Sequence, residues 1–319
     1  MQSQLTKSIL QTVIYYDILN FPLTSFEIWK YLIAEKSCSL GEVVEALEDK
    51  KLEKHIEEFR GFYFLRGRKK LVSGRLQNDK NSIAKFKIAE KVAWWLRFVP
   101  FVRIVAATGT LAMKNCEKNS DIDFFVVLEK KRIFTGRLLV TLVVHLLGRR
   151  RYEDKVTNRI CLNYFITTGN LEIQRKDLFA ANEYSFIYPL FACLPDYAKH
   201  YGWGFDIYKK FGGVNIGWIK KYKPNFGYDD LKPAKYFVEH SWFSRFVQNT
   251  KESLINLFWG DRIELWLKKK QIEKIKRNPL TYKKGGYVEY TDQNLIFLPE
   301  PQGPRIEEEW QRGIKDIAT

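Results

Sequence analysis

The spacing of apolar and polar positions divides the chain into stretches of different period. From Leu5 to Asn20, apolar residues recur at helical spacing (Leu5, Ile9, Val13, Tyr16, Ile18) until Phe21-Pro22 stops them. Thr24-Ser25-Phe26-Glu27 and Ser39-Leu40-Gly41-Glu42 each read as a capping box. They predict a second helix carrying Trp29, Tyr31 and Leu32, and a third running to about Leu52. Gly61 to Leu65 and Leu71-Val72 then read as a hairpin whose tip is the basic run Arg66 to Lys70. A helical link, Ile83 to Phe98, carries Trp94-Trp95, a pair expected to pack domains together. Beyond Pro100 come two strands, Val102 to Ala107 and Phe124 to Val127, then an apolar helix, Arg132 to Leu147, closed by Arg149-Arg150-Arg151. A further strand is expected from Arg159 to Ile166.

After about Asp177 the pattern becomes helical and aromatic. Helices are expected at Ala180 to Leu194 and Ala234 to Phe246, joined by a connection rich in Gly, Trp and Tyr (Gly202, Trp203, Gly204, Gly212, Gly213). Leu254 to Lys276 predicts one long amphipathic helix; such a basic helix can lie on a membrane or on nucleic acid, and the favoured expectation is packing on its apolar side with a basic face in water. From Leu295 the prolines Pro299, Pro301 and Pro304 predict a loop, followed by a terminal helix from Glu307 to Ile317.

Composition narrows the function classes. The 319 residues are 45% hydrophobic and 15% aromatic, which excludes a disordered chain and leaves room for more than one core. Lys and Arg number 53 against 37 Asp and Glu, a net charge of +16 that favours polyanionic partners: nucleotide phosphates, nucleic acid or an anionic membrane surface. Cys38, Cys116, Cys161 and Cys193 are scattered, and with only four His they give no zinc spacing. Free thiols in a reducing cytoplasm are expected. The N-terminal residues lack signal-peptide order, and Leu138 to Leu147 is too short to cross a bilayer, so a cytoplasmic protein without a transmembrane segment is expected.

The candidate chemistry lies between Ala106 and Val127. A strand ends at Thr108-Gly109-Thr110, and Leu111-Ala112-Met113 suits a first helical turn. After a polar loop, Asp121-Ile122-Asp123 opens the next strand, where alternation puts both carboxylates on one face. Two carboxylates held that close repel unless a cation lies between them. Such an oxygen-rich pair suits Mg²⁺, which needs one or two protein carboxylates when phosphates supply further ligands. Backbone N–H groups and a hydroxyl at Gly109-Thr110 suit a phosphate.

Gly109-Thr110 followed by Asn119-Ser120-Asp121-Ile122-Asp123 resembles the nucleotidyltransferase superfamily of the DNA polymerase β type, over roughly Phe101 to Ile166. The resemblance implies an α+β chain whose central part is a mixed sheet with helices. It also implies transfer of a nucleoside monophosphate from an NTP to an acceptor (nucleic acid, protein or small molecule), with Mg²⁺ or Mn²⁺ held by Asp121 and Asp123. Gly109 and Thr110 would hold the phosphates, with Lys114 or Lys118 assisting the leaving pyrophosphate. The superfamily's third carboxylate falls at Asn163, which can ligate a cation but cannot serve as a base. Glu172, Glu153 and Asp154 are carboxylates nearby in sequence. The alternative is a degenerate member that binds nucleotide or a partner without turnover.

The three N-terminal helices and hairpin look like a winged helix-turn-helix. Its third helix carries Glu42, Glu45, Glu48 and Asp49, a surface that phosphates repel, so DNA binding is the lesser expectation and protein contact the greater. The expected division is a winged-helix-like domain (1–78), a linking helix (79–99), a nucleotidyltransferase-like domain (100–178) and a mainly helical C-terminal region (179–319).

Overall fold

A computed structural model describes residues 2–152, 154–193, 205–227, 235–258 and 260–318. The N-terminal elements are α1 (Gln2–Ile18), α2 (Ser25–Lys30), α3 (Leu40–Leu47), α4 (Lys50–Glu53), β1 (Ile56–Phe59) and β2 (Phe62–Leu65). Both expected capping boxes form. Thr24 Oγ1 accepts the Glu27 N–H at 3.2 Å while Glu27 accepts the Thr24 N–H at 2.9 Å. Ser39 and Glu42 make the same reciprocal pair before α3. The expected third helix is broken, because Asp49 turns its carboxylate onto the Lys51 N–H at 2.9 Å and starts α4.

The hairpin lies earlier in the chain than its predicted position. Its tip is Arg60-Gly61, both left-handed (φ 56° and 79°), the two-residue turn that matches strand twist. Leu71 and Val72 belong instead to a long helix, α5 (Lys70–Leu96), with Val72 buried. Arg75 fixes that helix to the α2 capping box: its guanidinium bonds Glu27 and the Pro22 carbonyl and stacks 3.6 Å from the Phe21 ring centre. Trp94 and Trp95 at its far end are about half exposed.

The rest of the chain builds one six-stranded mixed sheet. In chain order the elements are β3 (Val102–Ala107), α6 (Gly109–Ala112), β4 (Ile122–Leu128), α7 (Ile133–Leu146), β5 (Ile160–Thr167), α8 (Leu178–Phe186) and β6 (Tyr188–Ala192). Then come α9 (Phe205–Ile219), α10 (Trp242–Phe258), α11 (Gly260–Arg277), β7 (Tyr287–Tyr290), β8 (Asn294–Leu298) and α12 (Gly303–Ala318). The strand order is β6-β3-β4-β5-β8-β7, with β4 and β5 parallel and every other pair antiparallel. Val105, Phe124 and Val126 join one core with Ala89 and Val92 of α5 and Val140 of α7. Ile104, Phe125 and Val127 join a second core with Tyr184 of α8 and Phe211 of α9. Covered on both faces, β3 and β4 read as near-continuous apolar runs.

The C-terminal region is helical as expected, but it also supplies three of the six strands. The helix expected to reach Leu194, which itself lies outside the described residues, ends at Phe186. Pro189 biases Tyr188 toward extended backbone, and β6 starts there. Leu295 begins no loop: Asn294–Leu298 pairs with β5 and completes the sheet. Residues 202–204 and Ala234, named in the expected connection and helix, also lie outside the described residues. The tail returns to the N-terminus, where Trp310 Nε1 donates to the Gln11 carbonyl at 2.9 Å and Ile306 joins the core around Tyr16.

The long amphipathic helix expected from Leu254 is two helices: α11 packs Leu267, Ile272 and Ile275 inward with its lysines mostly outward, as expected, but α10 is reversed. The inward face of α10 is polar. Gln248 donates to the carbonyls of Val99 and Val102, and Glu252 accepts from Arg103 at 2.8 Å and from the Phe101 N–H at 2.6 Å. Leu254, Leu257 and Phe258 face outward.

Arg103 is nearly buried, so losing a partner is costly. Glu252→Ala should destabilise the protein by about 2–4 kcal/mol in urea unfolding, with Glu129 limiting the loss. His240, beside Phe191, has its pKa pushed down to about 3, first by burial and then by Arg245, Arg103 and Arg97. A depressed cationic pKa stabilises the fold above the unfolded value near 6.5 and loses that contribution as pH falls toward 3. Relative to His240→Gln, the parent protein should therefore lose stability as pH falls from 7 to 4, read as a urea-midpoint difference that moves in the variant's favour.

Candidate functional site

Asp123 lies on β4 on the same side as Phe125 and Val127, which look toward α8 and α9. Asp121 sits one residue before the strand. In the parallel pairing Asp123 stands opposite Cys161, and the register then shifts so that Phe125 meets Tyr164. Asn163 falls in that irregularity, and its Nδ2 donates to Asp123 Oδ1 at 3.4 Å. One carboxylate oxygen from each aspartate and the Cys161 sulfur lie within 4.8 Å of one another.

The glycine corner meets the same point from β3. The Thr108 N–H donates to the Asp123 carbonyl at 3.1 Å, and Gly109 follows at φ +60°. A Cβ on Gly109 would stand 3.0 Å from Asp123 Oδ2. Both its backbone conformation and the space beside it select glycine. Thr110 is exposed at the start of the single turn α6, its hydroxyl 3.6 Å from Cys116 Sγ.

These residues border a cavity of about 440 Å³. Gly109, Thr110, Asp121, Asp123 and Asn163 line it together, as the sequence reading requires. Lys114 and Lys118 do not. Both are exposed on the intervening loop, where Lys114 adopts φ +55° and the Lys118 carbonyl accepts from Lys85. The cations that line the cavity are Arg151 and Arg175. Arg151 Nη1 contacts Asp121 Oδ2 at 2.5 Å and lies 3.5 Å from Cys161 Sγ. The chain past α7 bridges Arg150 to Ile160 of β5, which carries Arg151 to the aspartates. Its place in a triple-arginine run behind a helix gives no sign of this.

A carboxylate in the cavity also escaped the sequence reading. Glu183 projects from α8, on a segment that is otherwise apolar, small or neutral. That lone acid among Leu178 to Phe186 is the signal that would have found it. Glu172 instead pairs with Lys176, Asp154 is exposed, and neither lines the cavity; Glu153 lies outside the described residues.

Burial sets the electrostatics. The Asp123 pKa is pushed up to about 7, first by desolvation and then by the charge of Asp121. Glu183 is also raised to about 7, by burial and then by Asp123. The Cys161 thiol is pushed up to about 12 by burial and by both aspartates, so it stays protonated and donates to Asp123. The donor set for an ion is thus two carboxylates, with the neutral thiol as a hydrogen-bond partner. A hard divalent cation fits that set, since it would relieve the repulsion that raises Asp123. Asn163 would have to turn its amide oxygen inward to join it. Arg151 already offsets part of the charge on Asp121, so an arriving ion would compete with the guanidinium.

No protein-family profile matches the chain, and comparison with curated proteins and with solved structures likewise returns no match. No helix among the described residues is long and apolar enough to cross a membrane.

The close approach at Gly109 can be tested directly. Gly109→Ala should cost roughly 1–3 kcal/mol in thermal melts, because alanine resists φ +60° and its methyl presses on the Asp123 carboxylate. Metal titration of the same variant should show weakened binding.

Proposed function

We propose that the chain is a nucleotidyltransferase of the DNA polymerase β type, with an N-terminal winged-helix-like unit. The observation that carries this reading is the meeting of Gly109-Thr110 with Asp121 and Asp123 at one wall of a cavity. A Gly-Thr corner or an Asp-x-Asp alone is common. Their contact across neighbouring antiparallel strands is what phosphate and cation binding at a single point requires.

Asp121 and Asp123 would hold Mg²⁺ or Mn²⁺, with Asn163 beside them. When bound, the ion would neutralise negative charge on the triphosphate. Gly109 and Thr110 would give backbone N–H and hydroxyl contacts to the β- and γ-phosphates. Arg151, released from Asp121, and Arg175 are the cations available for the leaving pyrophosphate. Tyr164, Tyr184 and Tyr287 offer aromatic surface for a base. Glu183 is the candidate general base, since a pKa near 7 suits accepting a proton at neutral pH. The acceptor hydroxyl oxygen bonds to the α-phosphorus as its proton passes to Glu183, and the α–β phosphoanhydride bond breaks to release pyrophosphate.

Asn163 supports a second reading, in which the chain binds nucleotide without turnover. DNA regulation by the hairpin has weaker support. Of the basic residues expected at its tip and just beyond, Arg66 pairs with Glu57, Arg68 with Asp17, and Arg75, which lies on α5, with Glu27, so much of that charge is engaged within the fold.

Calorimetric titration of each NTP, with and without Mg²⁺, tests the site. Binding should depend on the metal and disappear in Asp121→Ala and in Asp121→Asn with Asp123→Asn; unchanged affinity would sink the assignment. With a labelled NTP and its acceptor, Glu183→Gln should keep binding and lose turnover by roughly 10²–10⁴-fold. Nucleotide binding without turnover in the parent protein would select the second reading.

A further inference from the structure

Helix α10 is built inside out. Its protein-facing side is Ser244, Gln248 and Glu252, engaged with the Ser241 carbonyl, with the Val99 and Val102 carbonyls, and with Arg103. Its apolar side faces outward, with Trp242 75% and Leu257 76% exposed. Phe243, Phe246, Leu254 and Phe258 complete that side at helical spacing. The helix is therefore held to the sheet by hydrogen bonds and ions, leaving its apolar surface in water.

Neighbouring elements extend the surface. Trp242 stacks on Phe246 at 5.9 Å, and Phe243 meets Phe98 at 6.3 Å, which in turn contacts Trp94 of α5. In α11, Leu265 and Trp266 are likewise exposed. Exposed apolar area of this extent on a folded protein marks a docking surface.

Charge identifies what docks. Between Trp242 and Arg277 there are nine Lys and Arg against four Asp and Glu. Two of the four acids are turned inward, Glu252 onto Arg103 and Glu264 onto the N–H groups of Phe134 and Thr135. Basic side chains frame the apolar ones at helical spacing: Arg245 follows Trp242 by three, Lys251 precedes Leu254 by three, and Lys269 and Lys270 follow Trp266 by three and four. A second copy of this chain would bring two positive rims together. An anionic bilayer would meet the rim with opposite charge while receiving the Trp, Phe and Leu side chains at its interface.

We infer that α10 and the start of α11 form a peripheral membrane-docking face that seats on anionic lipid headgroups. The test is co-sedimentation of the full chain with vesicles of phosphatidylcholine alone or mixed equally with phosphatidylglycerol, with oligomeric state measured by sedimentation velocity. The expected result is a monomer that binds the anionic vesicles at least tenfold more tightly than the neutral ones, and less tightly in high salt. Trp242→Ser with Leu257→Ser should reduce binding tenfold or more, as should Lys269→Glu with Lys270→Glu, with circular dichroism and melting temperature unchanged. Failure to bind either vesicle, or binding that survives both pairs of substitutions, overturns the inference. A dimer that fails to bind vesicles, and that these substitutions convert to monomer, would assign the face to self-association instead.

Discussion

The site depends on keeping two like charges at the start of β4, an interior strand of the sheet. Oxygens of Asp121 and Asp123 lie within 4.8 Å, where two unit charges repel by roughly 3 kcal/mol at an effective dielectric near 20. The surroundings answer that repulsion in three ways. Arg151 places a guanidinium on Asp121, the Cys161 thiol and Asn163 amide donate to Asp123, and Asp123 itself rises toward neutrality. None of these removes the cost, because Arg151 is 43% exposed and its contribution is screened by water. A site left under-neutralised is one that gains from a bound cation.

The parts of this arrangement legible in the sequence are those encoded within a few residues. Capping boxes at Thr24 and Ser39, the Gly109-Thr110 corner and the Asp-x-Asp strand are local, and the structure forms each of them. What could not be read is what the fold brings in from a distance. Arg151 reaches Asp121 only because the loop before β5 pairs with Ile160, and Glu183 reaches the cavity only because α8 covers the same sheet face as Asp123. The strands β6 and β8 were hidden for another reason. Each is five residues long, and their apolar side chains fit a helix or a loop as well as a strand until the sheet edges that accept them are known.

Helix α10 shows the limit of periodicity most clearly. A moment in the sequence says that a helix has two unlike faces; it does not say which one the protein covers. Burial of the apolar face is the usual solution, since it removes that surface from water. Here Arg103 decides otherwise. Almost buried on β3, it needs carboxylates, and Glu252 on α10 meets it with two hydrogen bonds of 2.8 Å while also capping the Phe101 N–H. Turning the helix over would withdraw Glu252 from a nearly buried guanidinium, leaving it Glu129 alone, and would also remove the Gln248 hydrogen bonds to the Val99 and Val102 carbonyls. The ion pair orients the helix, and the apolar surface follows from it.

The distribution of charge fits this division of labour. Several of the basic residues around the N-terminal hairpin are used within the fold, pairing with Asp17, Glu27 and Glu57 or lying over Phe59 and Phe21. On α10 and α11 two of the four acids turn inward and most of the lysines remain at the surface. A net charge of +16 is therefore a poor guide when read as one number. Where it is neutralised it holds elements together, and where it stays exposed beside apolar side chains it selects the sign of whatever those side chains meet.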